Sequence, residues 1–146
     1  MLFLSSALVT YAAKKPKSTK KPPVTTVKKT TTSTTTSKSS GGGKISGTDV
    51  AISYAVRGSS LVFTVSNTKK VSSLTYTLIY LTNGQQEGAI GTIYPKGANT
   101  VSRSLLFGTC SKNVCRYHTN VSNVSLEIGG KLTSGKTFSS SYSIAY

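Results

Sequence analysis

From about Gly47 onward, hydrophobic and polar residues alternate with a period of two. Val50, Ile52, Tyr54 and Val56 alternate with Ala51, Ser53 and Ala55. Successive side chains of extended backbone point to opposite sides, so this pattern predicts a strand with one buried face. Arg57-Gly58-Ser59-Ser60 turns the chain, and Leu61, Phe63 and Val65 then alternate with Val62, Thr64 and Ser66. After a polar, loop-like stretch from Asn67 to Ser73, Leu74, Tyr76, Leu78 and Tyr80 share one face against Thr75, Thr77 and Ile79. Asn83-Gly84 predicts a two-residue type I′ hairpin turn, which requires positive φ at both positions. The return strand covers residues 86–94, where Gly88 and Gly91 mark bulges or close packing, and Pro95-Lys96-Gly97 ends it. Three more strands are predicted over residues 100–107, 121–132 and 136–145, with Ser134-Gly135-Lys136 turning between the last two. Their inward residues are Val101, Leu105, Phe107, Val124, Leu126, Ile128, Phe138, Tyr142 and Ile144. No window shows helical spacing with a cap.

About seven short strands over about 100 residues predict an all-β fold, a single antiparallel sandwich over residues 48–146. In strand number, spacing and alternation this part of the chain resembles immunoglobulin-like and fibronectin type III-like sandwiches. The run Leu132-Thr133-Ser134-Gly135-Lys136-Thr137-Phe138 is similar to the corner before the penultimate strand of fibronectin type III domains, with Ser134 in place of proline and Phe138 in place of tyrosine. Such sandwiches carry adhesins, receptor ectodomains, carbohydrate-associated modules and spacers, so the resemblance implies a fold rather than an activity.

The N-terminal part is a different material. Leu2 to Val9 is a short apolar run followed by Thr10-Tyr11-Ala12-Ala13. It fits the apolar region of a secretory signal peptide over residues 1–13, cleaved near Ala12, and is far short of the ~20 residues that span a bilayer. It lacks the basic residues that usually precede such a run. Residues 14–47 follow, rich in Lys, Thr, Ser and Pro. Lys14 to Lys44 holds half of the chain's 18 basic residues and no acid. A stretch this polar buries too little apolar surface to offset its ordering entropy, and it is expected to be a disordered linker. Its Thr-rich half resembles a mucin-like stalk in composition, and Gly41-Gly42-Gly43 is expected to be a flexible joint before the domain.

Charge sharpens the functional reading. The chain of 146 residues carries 18 Lys and Arg against 3 acids, a formal charge of +15. The disordered lysines Lys14, Lys15, Lys17, Lys20, Lys21, Lys28 and Lys29 are candidates for contact with a polyanion, nucleic acid or an anionic envelope polymer. After Tyr11 the linker has no aromatic residue on which bases would stack.

Little is left for catalysis. Asp49, Glu87 and Glu127 are scattered, His118 is the lone histidine, and no glycine loop precedes a helix to cradle phosphate. Paired carboxylates, a carboxylate-rich metal site and a supported nucleophile are therefore not expected, nor is a cofactor. Cys110 and Cys115 flank a polar four-residue stretch, which in an exported protein predicts a local disulfide. A zinc site with His118 and a redox-active dithiol are the alternatives, although the spacing is not Cys-X-X-Cys. Tyr94 and Tyr117, beside loops, are the candidate ligand-binding aromatics, because a ring with a polar tip suits sugar or peptide surfaces. Asn120-Val121-Ser122 and Asn123-Val124-Ser125 match the N-glycosylation pattern. The expectation is a secreted or cell-envelope module that binds or builds rather than catalyses. It would meet a surface polymer or protein, without a transmembrane helix. The second reading is a polyanion-binding protein acting through its basic tail.

Overall fold

The computed structural model describes residues 39–146 and the short strand Thr34–Thr35. The expected signal peptide, the seven tail lysines and most of the Thr-rich run lie outside the described residues. The strands are β1 (Thr34–Thr35), β2 (Ser40–Lys44), β3 (Ala51–Arg57), β4 (Ser60–Ser66), β5 (Val71–Thr82), β6 (Gln85–Ile93), β7 (Thr100–Leu106), β8 (Gly108–Ser111), β9 (Val114–Tyr117), β10 (Val121–Leu132) and β11 (Thr137–Ile144). A single 3-10 turn, η1 (Thr68–Lys70), precedes β5.

Two sheets pack face to face. One has the order β1-β11-β10-β5-β6 and the other β2-β3-β4-β7, while β8 and β9 form a separate hairpin. Apart from the parallel β1–β11 pair, the ladders are antiparallel. The result is an antiparallel β-sandwich compatible with an Ig-like fold, and all seven strands anticipated from the alternation are present. In six of them the apolar half of the alternation faces the other sheet; in β6 the inner side carries Glu87, Ala89 and Gly91, and Ile90 is exposed on the outer side. Leu61, Phe63 and Val65 of β4 oppose Leu74 and Leu78 of β5 and Leu126 and Ile128 of β10 in one core. With no tryptophan, aromatic pairs fill the space between the sheets. Tyr54 meets Tyr142 with ring centroids 5.1 Å apart, and Phe63 meets Tyr76 at 5.5 Å. Tilted contacts at these separations suit the ring quadrupoles.

The ladders show how register follows from sequence. Asn83 (φ 48°) and Gly84 (φ 80°) make the anticipated tight turn, and β5 then pairs β6 without a slip from Thr82↔Gln85 to Leu74↔Ile93. Gly91 is a close-packing position, since the Tyr76 ring opposite it occupies the space a side chain would need. Two of the edge strands, β6 and β7, each turn one charged residue toward the inner side, Glu87 opposite Tyr80 and Arg103 opposite Phe63. Inward charges on edge strands disfavour pairing with a stray strand.

The structure corrects two expectations. Gly41-Gly42-Gly43 is not a flexible joint. It forms the middle of β2, in register with Ile52, Ser53 and Tyr54 of β3. At Gly42 the backbone has φ +142°, and a Cβ there would lie 2.0 Å from the Ile52 carbonyl oxygen. Only glycine allows this approach, so the run is a close-packed edge strand. The domain therefore begins before residue 48, and the linker ends before residue 47. The Leu132–Phe138 run is not a corner before the penultimate strand either. Its residues turn directly from β10 into β11, closed by hydrogen bonds from the Leu132 N–H to the Lys136 carbonyl (2.8 Å) and from the Gly135 N–H to the Leu132 carbonyl (2.9 Å).

Candidate functional site

The strand directions give the sandwich two dissimilar ends. The turns 58–59 and 83–84, the segment 107–120 and Tyr146 lie at one end. The loops 45–50, 67–70, 94–99 and 133–136 lie at the other. Tyr94 and Tyr117, the two candidate aromatics, are both exposed (64% and 60%) but belong to opposite ends, so no single site contains both.

At the first end the β8–β9 hairpin stands outside both sheets. Cys110 and Cys115 are opposite each other in its register and joined by a disulfide, with Cα atoms 4.0 Å apart. Lys112 (φ 48°) and Asn113 (φ 66°) form the turn, a conformation that non-glycine residues adopt at some energetic cost. The cross-link holds that turn closed. With the two sulfurs bonded to each other, neither is a thiolate free to ligate zinc in this state. Among the described residues there is no group of three His, Cys, Asp or Glu placed to hold a metal.

The hairpin's root is well anchored. Phe107 is fully buried, its N–H donates to the Ser59 carbonyl (2.9 Å), and its carbonyl accepts from the His118 N–H (2.9 Å). Phe107 packs edge-on against Tyr80 (5.1 Å) and Tyr146 (4.7 Å). His118 Nδ1 lies 3.0 Å from the Tyr80 hydroxyl, so the lone histidine is engaged with a core tyrosine. Burial pushes the Tyr80 phenol up, the nearby Glu87 charge adds to the rise, and a backbone hydrogen bond at Gly108 offsets part of it. Above this root Val114 and Tyr117 are 66% and 60% exposed, with Arg116 between them in β9. Asn120 and Asn123 of the glycosylation motifs are exposed beside it, each at positive φ (52° and 49°).

The opposite end is basic. It holds Lys44, Lys69, Lys70, Lys96, Lys131 and Lys136, six of the ten cations in residues 39–146, against Asp49 as its one acid. A cleft of about 620 Å³ opens there between the 45–50 loop, η1 and the 133–136 turn. Sequence reading missed this grouping, because its members lie in four separate segments. The available signal was that each falls at or beside a strand end on the same side of the sandwich.

Among the described residues no helix is long and apolar enough to cross a membrane. Comparison with protein-family models, curated proteins and solved structures finds no match for the chain.

Proposed function

We propose that the protein is an exported, non-enzymatic binding or structural module that meets a surface or envelope component through its disulfide-clamped hairpin. The observation that carries this reading is the β8–β9 hairpin itself: a cross-linked projection, outside both sheets, presenting Val114, Arg116 and Tyr117 to solvent. Exposed apolar and aromatic side chains on a rigid support give contact area with little loss of conformational entropy, and Tyr and Arg are enriched among residues that dominate binding. A disulfide persists in oxidising compartments, which supports export. The strand order, with four long strands in one sheet facing three plus an edge strand in the other, supports an Ig-like lineage of architecture. The non-enzymatic reading rests on composition, three dispersed carboxylates and one histidine.

The test is binding of the full chain to intact cells and isolated envelope of its source, with Val114→Ser/Tyr117→Ala as the variant. Loss of about tenfold or more in affinity is expected, on the scale of a binding hot spot. Unchanged binding would remove the hairpin from the interface.

A further inference from the structure

We propose that the cleft at the basic end is a second binding site, separate from the hairpin, for a polyhydroxylated polyanion: a sugar or polyol chain bearing sulfate or phosphate groups. Three observations converge on it. The first is charge. Lys44, Lys70 and Lys136 line the cleft, and a shallower depression beside it adds Lys69. Lys44 is paired with Asp49 (3.1 Å), but Lys69, Lys70 and Lys136 have no carboxylate within ion-pairing distance among the described residues. Cations converging on one recess from separate loops leave an uncompensated positive field that concentrates anions.

The second is rigidity. The walls are joined to one another rather than being free loops. The Asn67 side chain donates to the Asp49 carbonyl (3.0 Å), linking η1 to the 45–50 loop. Thr68, fully buried, donates its hydroxyl to the Ala98 carbonyl (2.6 Å), and the Thr133 N–H donates to the Lys70 carbonyl (2.8 Å). Beneath them Ile45 and Val50 are core residues, each 2% exposed. The lysine stems therefore start from fixed backbone, which lowers the ordering penalty on binding.

The third is the character of the rest of the lining. Ser46 and Ser134 bring hydroxyls, the Thr48 hydroxyl is held by the Ile45 carbonyl (3.0 Å) and the Val50 N–H (3.2 Å) and stiffens the loop, and no aromatic ring lines the cleft. Serine hydroxyls beside lysines, in a polar recess, suit the hydroxyls and anionic groups of a substituted sugar or polyol. A site built for unpaired bases would offer stacking platforms. Lysine ammonium groups contact sulfate or phosphate as mobile point charges, which suits a flexible chain with irregularly spaced anions.

The experiment uses the full chain at physiological ionic strength, with dextran sulfate, inorganic polyphosphate and mixed-sequence single-stranded DNA as probes. Two variants remove the same charge from different places, K69Q/K70Q/K136Q in the cleft and K20Q/K21Q/K28Q in the tail. The cleft variant should lose about tenfold or more in affinity for dextran sulfate while the tail variant loses about threefold or less. K69R/K70R/K136R should bind nearly as wild type. Polyphosphate binding with the same cleft dependence would identify phosphate as well as sulfate as an accepted anion. Equal losses in the two glutamine variants would reduce the effect to net charge and overturn the site. Single-stranded DNA binding tighter than dextran sulfate, with the same cleft dependence, would overturn the ligand class. Near-ultraviolet circular dichroism establishes that each variant keeps its fold, and Val114→Ser/Tyr117→Ala should leave this binding unchanged.

Discussion

Replacing Gly42 by alanine, with Gly43→Ala as its neighbour control, discriminates sharply between a strand and a hinge at the start of the domain. At Gly42 the new Cβ would lie 2.0 Å from the Ile52 carbonyl oxygen and 2.7 Å from Ser53 Cα, and both are backbone atoms of the adjacent strand. Neither can move without opening the β2–β3 ladder. The φ of +142° adds a conformational penalty of about 1–3 kcal/mol for a residue with a side chain. If β2 detaches, Tyr54, Ile45 and Val50, each 2–3% exposed, lose part of their cover. Together these predict a loss of about 2–4 kcal/mol for Gly42→Ala. At Gly43 a Cβ would meet nothing within 4 Å, and its φ is not positive. Gly43→Ala should therefore be neutral or stabilise by about 0.5 kcal/mol, because alanine restricts the unfolded chain. Urea unfolding followed by circular dichroism reads the difference as a shift in midpoint at unchanged slope. If the two variants fell within about 0.5 kcal/mol of each other, the glycine run would behave as a hinge and the strand assignment would be wrong.

Three further predictions concern the core tyrosines. The Tyr54 hydroxyl is buried with no hydrogen-bond partner among the described residues, so Tyr54→Phe should be neutral or stabilise by about 1 kcal/mol. Tyr80→Phe, which breaks the contact with His118, should instead destabilise by a similar amount, and the same unfolding assay reports both. Burial raises the phenol pKa values of Tyr54, Tyr80 and Tyr142 above 10.0, so the folded state keeps protons that the unfolded chain releases. This contribution is fully present below about pH 10 and is lost as pH rises through the folded-state values. Urea midpoints should fall as pH rises above about 10, and Tyr54→Phe should flatten that fall.

The strands legible in the sequence are those that bury one face. β3, β4, β5, β7, β10 and β11 carry a period of two, with Leu61, Leu78 and Leu126 completely buried, while β6 was legible as the return strand after the Asn83-Gly84 turn. β2 escaped because glycine has no side chain with which to alternate, so its composition resembled the linker before it. The β8–β9 hairpin escaped as a pair of strands because every residue of β9 is exposed, which leaves no hydrophobic signal to read. Its disulfide remained legible, since cysteine spacing needs no period. Tyr94 and Tyr117 were readable as exposed rings, but their separation to opposite ends depends on strand direction. The basic cleft depends on topology more strongly still: Lys44, Lys70 and Lys136 lie far apart in the chain and meet only because β2 ends, β5 begins and β11 begins on the same side.

The length of the central strands sets a distance. β5 and β10 each run for 12 residues between the two ends of the sandwich. At about 3.3 Å per residue they hold those ends roughly 40 Å apart, on hydrogen-bonded ladders that neither stretch nor fold. No small ligand can touch both ends at once, so occupancy of one leaves the other open to a different molecule. With the hairpin and the basic cleft both filled as proposed, the domain would join two partners as a strut of fixed length. Its valency would then be two per copy, and long partners would be linked into a network whose mesh is set by strand length.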